Sequence, residues 1–324
     1  MNYDVIIAAY NGEKYILEQI ESIMKQTIKP QNIIIRNDAS TDNTLTIINE
    51  LQSEHPDLIT VVNDGVNLGY IKNFEALVNH TTSEIVFFSD QDDIWIDNKA
   101  EKMINLLSNT SKSVVFTDAF LVNNKKEKLG TLWEFAGFNP AVDSLTFERL
   151  YVDNFATGAT MAARREFLME QLPFPATLPH DYWITVNAAI KNELVSCSEK
   201  LILYRQHDAN VIGAHDTSLI HKITSMYDDK KLSRRMNYYR EKHHLLIELE
   251  ERGIITPEKL QIYKKNVLCI NAIYNNKIMQ LSNQQSRCSP ISAFLADEYQ
   301  KYTSKKKTAH NILDAITLRL KAKH

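Results

Sequence analysis

Cysteine, glycine and proline are scarce in this chain of 324 residues, which contains 3 Cys, 8 Gly and 8 Pro. The three cysteines, Cys197, Cys269 and Cys288, are far apart and form no CxxC pair. This argues against a disulfide framework or a structural zinc site and favours a reducing compartment. With 44% hydrophobic and 24% charged residues, the composition also excludes collagen-like and largely disordered chains. The sequence predicts a folded globular protein of about two structural units.

Long apolar runs are missing as well. No window approaches the roughly 20 uninterrupted apolar residues that a membrane-spanning helix needs. The first ten residues carry Asp4 and no basic start before an apolar run, so we expect no signal peptide. These features predict a cytoplasmic protein.

Charge is distributed unevenly along the chain. Residues 1–217 contain 17 Lys and Arg against 30 Asp and Glu, whereas residues 218–324 contain 20 against 10. An acidic region indicates a carboxylate-rich site for a cation, and a basic region indicates a surface for an anionic partner. We place a domain boundary after residue 217 and expect long basic helices beyond it.

Short β-branched runs alternate with amphipathic helical segments in the first part of the chain. The predicted strands are residues 3–9, 32–36, 59–63, 84–88 and 114–118. A predicted helix over residues 40–50 has Ser40 or Thr41 as its N-cap. Strands that alternate with helices pair in parallel, so we expect an α/β protein whose sheet is covered by helices.

Polar residues follow these strands at the points where each strand ends. Ligands bind at the carboxyl ends of parallel strands, where the connecting loops meet. We therefore expect one edge of the sheet to gather Tyr10, Asn11, Glu13, Asp38, Asp42, Asn67, Asp90, Asp92 and Asp93.

The strongest local signal is the segment FFSDQDDIW, residues 87–95. Its three carboxylates lie within four positions and repel one another, and a divalent cation relieves such repulsion. The spacing suits Mg²⁺ or Mn²⁺ held by one or two carboxylates, with water and phosphate oxygens completing the shell. An acidic surface turn is the alternative, but the apolar strand before the segment and Trp95 after it favour the metal site.

Four segments in this order and spacing carry a resemblance to a known family: VIIAAYNGEKYI, RNDASTDNT, NLGYIKN and FFSDQDDIW. Together they resemble glycosyltransferase family 2, over about residues 1–215. The resemblance implies the GT-A fold, a Rossmann-like, mainly parallel mixed sheet flanked by helices, followed here by a helical C-terminal extension. It also implies a sugar-nucleotide donor bound by residues 1–118, an acceptor site in residues 119–217, a divalent metal, and transfer to a hydroxyl with inversion at the anomeric carbon.

The resemblance assigns the nucleoside end of the donor to the first two loops. Tyr10 and Glu13 would line the base and ribose pocket, and Asp38 would hydrogen-bond the base. The family's usual pair of adjacent acids after the second strand is here Asn37 and Asp38, so one expected carboxylate is an amide.

Two later segments would complete the donor site. Asn67, Gly69 and Lys72 match the segment that closes it. Asp90 would approach the ribose, and Asp92 would bind the metal. Asp93 and Trp95, in the same segment, are further candidates.

Three segments are similar to a subgroup of the family, the bacterial rhamnosyltransferases that build wall and capsular polysaccharides. They are SDQDDIW, HDYW at residues 180–183 and YRQHDANVIG at residues 204–213. This similarity implies transfer of L-rhamnose from dTDP-L-rhamnose.

The transfer reaction needs a general base and positive charge near the leaving diphosphate. The family places its base in a loop acid well after the acidic segment, which makes Asp181 the candidate here. The alternative for Asp181 is an N-cap of the helix predicted over residues 182–190. Arg205 would offset the diphosphate charge, and His207 would be a further metal ligand, a phosphate contact or an ordinary loop histidine.

Two more residues have both a functional and a structural interpretation. Asp118 would support the site or be a turn acid at the end of a strand. Gly158, in the small-residue stretch 156–163, would pass beneath the acceptor or serve tight packing.

The last 24 residues form a basic amphipathic pattern. Lys305, Lys306 and Lys307 precede an apolar stripe, and residues 301–324 hold seven Lys and Arg against one acid. Such a helix can bind an anionic leaflet, which would suit a polyprenyl-linked saccharide acceptor and a peripheral place on the plasma membrane. Packing on the protein and a solvated tail are the alternatives. We expect no nucleic-acid partner, because no recognisable binding module accompanies the lysines.

Three other functions stay open at this stage. A hexose other than rhamnose, moved from a UDP donor, is the nearest alternative. A sugar nucleotidyltransferase would need a Gly-rich basic loop after the first strand, which residues 9–13 do not provide. A non-catalytic module that binds sugar nucleotides or glycans is the third.

Overall fold

The computed structural model describes residues 1–152, 154–206, 241–258 and 260–261. The chain folds as two compact units, Met1–Ala214 and His215–His324. The boundary predicted after residue 217, and most of the predicted basic helical region, lie outside the described residues and stay predictions. Within the second unit, residues 241–251 are helical, and Leu245, Leu246 and Leu249 are buried.

A mixed sheet forms the centre of the first unit. Its strands are β1 (Tyr3–Ala9), β2 (Asn32–Asn37), β3 (Ile59–Val62), β4 (Ile85–Ser89), β5 (Ile94–Trp95), β6 (Val114–Val122), β7 (Lys128–Thr131), β8 (Met161–Arg164) and β9 (Leu194–Arg205). Their order is β3-β2-β1-β4-β8-β6-β9-β5, and β7 pairs with β6. The first four strands are parallel, as predicted, whereas β8 runs antiparallel to both β4 and β6.

Helices cover both faces of this sheet. They are α1 (Ile16–Met24), α2 (Thr44–Glu54), α3 (Gly69–His80), α4 (Lys99–Ser108), α5 (Leu132–Ala136), α6 (Phe147–Val152), α7 (Arg165–Glu170) and α8 (His180–Ile190). Val5 and Ile7 of β1 share one core cluster with buried residues of α1, α2 and α4. On the other face, Phe74 of α3 meets Phe88 of β4 with 5.6 Å between ring centroids. No helix in the described part of the chain is long and apolar enough to cross a membrane.

Burial on both faces explains why β1 and β4 read as continuous apolar runs rather than alternating ones. In register, Ile6 of β1 lies beside Ile34 of β2 and Phe88 of β4. All three residues are buried. The strands therefore end together at one edge, which brings the loops after β1, β2 and β4 to the same place.

The start of α2 differs from the prediction, because the helix begins at Thr44 and neither Ser40 nor Thr41 is its N-cap. The Thr41 backbone N–H donates to the side-chain oxygen of Asn11 at 2.8 Å, and the Asp42 carboxylate accepts from the Thr44 N–H at 3.0 Å. These contacts hold residues 38–43 as a loop against the loop after β1.

Two other segments also contain structure that the sequence did not predict. Strand β6 continues to Val122, so Asp118 lies inside a strand and is not a turn acid at its end. The small-residue stretch at 156–163 contains a short 3₁₀ turn, Gly158–Thr160, and the start of β8.

One buried carboxylate joins the start of β1 to the loop before β4. Asp4 accepts hydrogen bonds from the Thr82 N–H at 2.7 Å, the Ser83 N–H at 2.9 Å and the Ser83 hydroxyl at 2.7 Å. The Asn32 side-chain amide donates to it as well, at 2.8 Å. Four donors thus converge on one fully buried acid.

Asp4→Ala should lower the free energy of unfolding by about 3 kcal/mol, because it leaves donors around Ser83 without an acceptor. Urea denaturation measures the change. The matched control, Asp57→Ala at an exposed position, should stay within about 0.5 kcal/mol of the parent protein. A loss below about 1 kcal/mol for Asp4→Ala would contradict this account.

Candidate active site

The loops after β1 and β2 are joined by hydrogen bonds to each other. The Asn11 N–H donates to the Ser40 hydroxyl at 3.0 Å, and the Gly12 N–H donates to the Thr44 hydroxyl at 2.7 Å. Glu13 accepts from the backbone N–H and the side-chain amide of Asn43 at 3.0 and 2.9 Å. Tyr10, which precedes these contacts, is about half exposed at this edge of the sheet.

Asp38 is buried where β2 ends, and its carboxylate accepts three hydrogen bonds. The donors are the Arg36 guanidinium at 2.7 Å, the Leu68 N–H at 2.8 Å and the Gly69 N–H at 2.9 Å. The last two donors belong to the start of α3, where a negative charge is favourable. A carboxylate offers about four lone-pair sites, so one remains for a ligand.

Arg36 extends this contact to the loop that precedes α3. Its guanidinium also binds the Asp64 carboxylate at 2.7 Å and the Val66 carbonyl at 3.0 Å. The side chain of Asn67 donates to the Asp38 carbonyl at 2.9 Å. The structure thus brings Asp38, Asn67 and Gly69 together, as the sequence indicated.

Lys72 lies farther along α3 and has other partners. Its ammonium group donates to the Glu75 carboxylate at 2.7 Å and to the Phe174 carbonyl at 2.8 Å. These contacts hold α3 against the segment that leads into α8.

Carboxylates crowd the loop after β4. Burial, followed by the charges of Asp92 and Asp181, raises the pKa of Asp90 to about 7. Burial and the charges of Asp92 and Asp90 also raise the pKa of Asp93, whose carboxylate accepts the Arg205 N–H at 2.9 Å. Asp181 is distant in sequence, yet its charge acts on the carboxyl of Asp90.

Tyr204 is a buried residue on which the charges of all these acids act. It lies in β9 and is buried. Burial raises the pKa of its phenol, and the charges of all four acids raise it further: Asp90, Asp93, Asp92 and Asp181. The acidic loop and the start of α8 therefore share one electrostatic environment.

Lys99 is a buried lysine beside this acidic loop. Its ammonium group donates to the Ala159 carbonyl at 2.8 Å and lies 3.7 Å from the centre of the Trp95 ring. Burial lowers its pKa well below the usual range, although Asp93 and Asp90 act in the opposite direction. Trp95 itself is buried in the core beneath the loop. Lys99 could not be predicted as part of this region, because a lysine at the start of a helix carries no local signal of burial.

Arg205 meets the acidic loop from β9. Its guanidinium donates to the Asp92 carbonyl at 2.9 Å and to the Glu18 carboxylate at 2.7 Å, and it lies 4.8 Å from the Tyr15 ring centre. It therefore holds the backbone of the loop in place while it contributes positive charge. His207, two residues later, lies outside the described residues.

Asp181 lies in the first turn of α8, where Pro179 is the N-cap, so the N-cap interpretation of Asp181 is wrong. Its carboxylate accepts from the Gly158 N–H at 3.0 Å and from the Tyr182 N–H at 2.6 Å. The Asn154 side chain donates to it at 3.4 Å. These donors fix the orientation of the carboxylate.

His180 is buried next to Asp181 among aromatic rings, and neither ring nitrogen has a hydrogen-bond partner. Its ring centroid lies 4.2 Å from that of Phe74 and 5.3 Å from that of Phe88. A Cβ added at Gly158 would lie 2.8 Å from the His180 Nε2, so glycine is needed for this close approach. Burial lowers the pKa of His180 to about 3. His180 belongs to the HDYW motif, but the sequence by itself indicates no role for it.

Asp118 joins β6 to the start of α5. It is buried in β6, where its carboxylate accepts the Ala119 N–H at 2.8 Å and the Trp133 N–H at 3.0 Å. Lys200 approaches it at 3.8 Å. These contacts anchor the start of α5.

The donor set at the acidic loop fits a divalent cation that keeps some of its own water. Among the described residues, no three carboxylate, imidazole or thiolate groups converge to enclose a metal ion. Magnesium sites of this kind use one or two carboxylates together with substrate phosphates and water. Asp92, with Asp90 beside it, would supply the carboxylates of such a site.

The neutral state of His180 predicts a pH-dependent stability difference. Because its folded pKa of about 3 lies below the unfolded value of about 6.5, unfolding takes up a proton between these values and stability falls as the pH falls. Between pH 7 and pH 4.5 this amounts to about 2–3 kcal/mol.

Between pH 7 and pH 4.5, His180→Phe should lose about 2–3 kcal/mol less stability than the parent protein, because phenylalanine takes up no proton when the chain unfolds. Urea denaturation at the two pH values measures it. His80→Phe, at an exposed position of α3, is the control and should keep the parent profile. Equal pH profiles for the parent and His180→Phe would refute the neutral buried state.

Comparison with known proteins agrees with this geometry. The sequence profile of glycosyl transferase family 2 matches residues 4–172. A dTDP-rhamnosyl transferase, RfbG from Shigella flexneri, is 31% identical over 227 residues, which are 64% of this chain and 74% of the relative. WfgD from Escherichia coli, named as a UDP-Glc:alpha-D-GlcNAc-diphosphoundecaprenol beta-1,3-glucosyltransferase, is 23% identical over 209 residues, which are 64% of this chain and 78% of the relative.

Solved structures share the fold at low sequence identity. Residues 1–349 of TarS from S. aureus, in complex with UDP-GlcNAc, align over 98% of this chain and 90% of that one, with a TM-score of 0.60 and 17% identity. The mannosyltransferase PcManGT from Pyrobaculum calidifontis, in complex with GDP-Man and Mn²⁺, aligns over 98% and 87%, with a TM-score of 0.53 and 17% identity. The GT-A fold expected from the sequence is confirmed, and the chain belongs to glycosyltransferase family 2.

Proposed function

We propose that this glycosyltransferase moves L-rhamnose from dTDP-L-rhamnose to a saccharide on a polyprenyl carrier, with inversion at the anomeric carbon. The name of the S. flexneri relative supports the donor, as do the segments SDQDDIW and HDYW of this chain. The name of the E. coli relative supports a lipid-linked acceptor.

The observation that carries the proposal is the approach of Asp181 to the acidic loop after β4. Sugar transfer needs a proton acceptor for the incoming hydroxyl and a charge partner for the leaving diphosphate within one site. The charges of Asp181 and Asp92 act on the same carboxyl, that of Asp90. Groups suited to the two tasks therefore lie close together.

Asp181 is the proton acceptor in this scheme. The acceptor hydroxyl oxygen forms a bond to the anomeric carbon and gives its proton to the Asp181 carboxylate, while the bond from that carbon to the diphosphate oxygen breaks. The N–H groups of Gly158 and Tyr182 keep the carboxylate oriented for this step. The nucleoside diphosphate leaves on the opposite side of the sugar, which produces the inversion.

Asp92 would hold the cation, Mg²⁺ or Mn²⁺, and His207 would be a further ligand. When bound, the cation offsets the charge of the leaving diphosphate. Arg205 adds a fixed positive charge at the same loop and keeps the loop backbone in place. The Mn²⁺ that accompanies GDP-Man in the mannosyltransferase structure supports a divalent metal.

The rest of the donor would lie along the neighbouring loops. Tyr10 and Glu13 would line the base and ribose pocket, Asp38 would use its remaining lone pair for the base, and Asp90 would approach the ribose. Asn67 would help to close the site from the loop before α3.

Two further assignments do not depend on the geometry of the site. The basic tail from Lys305 would bind an anionic leaflet near a lipid-linked acceptor, and it lies outside the described residues. The second candidate donor is a UDP-hexose, which the name of the E. coli glucosyltransferase favours.

With Mn²⁺ present, dTDP-L-rhamnose should raise the melting temperature more than UDP-glucose or UDP-galactose at equal concentration. A donor at about 100 times its Kd adds about 2.7 kcal/mol of stability. A thermal-shift series with EDTA and with free rhamnose as controls measures this, and EDTA should abolish the shift. A larger response to a UDP sugar would reassign the donor, and no response to any of the three would oppose the proposal.

Asp181→Asn should reduce sugar transfer by about 10²–10⁴-fold, the usual scale for loss of a general base, and leave donor affinity unchanged. Initial rates and calorimetric titration with the donor separate the two effects. Asp97→Asn, at an exposed position after the acidic loop, is the matched control and should retain activity. A rate loss of less than tenfold would remove Asp181 from the role of base.

A further inference from the structure

The side chain of Gln91 forms a two-point contact with the backbone of Tyr10. The Tyr10 N–H donates to the Gln91 Oε1 at 2.8 Å, and the Gln91 Nε2 donates to the Tyr10 carbonyl at 2.8 Å. Both polar groups of one backbone residue are therefore bound by a single amide. The two bonds also fix which side of the amide carries oxygen.

Gly12 provides the space for this amide. A Cβ added at Gly12 would lie 2.3 Å from the Gln91 Oε1 and 2.5 Å from its Cδ, far inside normal contact distance. The φ angle of Gly12 is not in the left-handed region, so its backbone is compatible with alanine. Glycine is needed here for space, and the neighbour that requires the space is Gln91.

The contact joins two loops with different tasks in the proposed function. Tyr10 and Gly12 belong to the loop after β1, which would receive the nucleoside end of the donor. Gln91 lies between Asp90 and Asp92, which would meet the ribose and the diphosphate. On its other side, the loop after β1 is already joined to the loop after β2 through Asn11.

An uncharged amide suits this position for two reasons. It offers one acceptor and one donor, which match the N–H and the C=O of Tyr10. A glutamate would lack the donor and would add a negative charge to a loop in which the pKa of Asp90 is already raised.

We propose that Gln91 is a positioning residue that couples the loop after β1 to the acidic loop after β4. The two loops would then bind the two ends of the donor nucleotide in one fixed geometry. This inference rests on the proposed function. A site that is already ordered loses less conformational freedom when the nucleotide binds, and it therefore binds more tightly.

A double-mutant cycle with Gln91→Ala and Gly12→Ala tests the coupling. Gly12→Ala displaces the amide because its methyl group overlaps with it, and Gln91→Ala removes the amide altogether. Each single variant should weaken the binding of dTDP or UDP with Mn²⁺ about tenfold, which is about 1.4 kcal/mol. The double variant should bind as Gln91→Ala does, because no overlap remains once the Gln91 side chain is absent.

A second measurement is the Mn²⁺ concentration that nucleotide binding requires. Gly12→Ala should raise the Mn²⁺ concentration needed for half-maximal nucleotide binding, and this effect should vanish in the Gln91→Ala background. Gln52→Ala is the matched control, because Gln52 also binds a backbone N–H, that of Val61 at 3.1 Å, but lies outside the site. It should leave both values unchanged.

Exchange of the Tyr10 amide hydrogen tests the contact without any ligand. It should be faster in both single variants than in the parent protein, and unchanged exchange would overturn the contact itself. Additive losses in the cycle, or single variants that bind nucleotide as the parent does, would overturn the coupling. Failure of the parent protein to bind either nucleotide is a different result, because it opposes the proposed function and, with it, the coupling that rests on it.

Discussion

Repulsion between carboxylates at the end of β4 is the constraint around which this site is built. Asp90, Asp92 and Asp93 share one loop, Asp181 lies in α8, and all four acids raise the pKa of one buried phenol, that of Tyr204. Lys99 acts in the opposite direction and lowers the pKa of Asp90 and Asp93. The pKa of Asp90 is nevertheless raised to about 7, so the repulsion is only partly offset. A divalent cation would relieve the remaining repulsion.

The loops at this edge of the sheet hold one another in place. Asp38 binds the first backbone N–H groups of α3, Asn11 binds the loop after β2, and Gln91 binds the loop after β1. Arg36 completes the arrangement through Asp64. Because loop backbone groups are satisfied by side chains of neighbouring loops, the edge is largely ordered before any ligand arrives. This order is what a family 2 glycosyltransferase needs to hold a sugar nucleotide in one geometry.

Agreement between sequence and structure depends on how local the signal is. The acidic loop was evident because its three carboxylates lie within four positions of the sequence. The grouping of Asp38 and Asn67 followed from their positions at the ends of neighbouring strands, and Gly69 was added by the resemblance to the family. The N-cap interpretation of Asp181 is wrong because α8 begins two residues earlier than predicted, at His180. The start of α2 was placed too early because Asn11, from a different loop, binds the Thr41 N–H.

The sequence by itself determined the parallel strands β1 to β4, the helices between them and the crowding of acids after β4. These features follow from hydrophobic period and from neighbours along the chain. Tertiary structure alone decided that β8 enters between β4 and β6, which brings Ala159 to Lys99 and Gly158 to Asp181 and His180. Such contacts join residues that are distant in the chain, and their burial and pKa values depend on packing that no local pattern encodes.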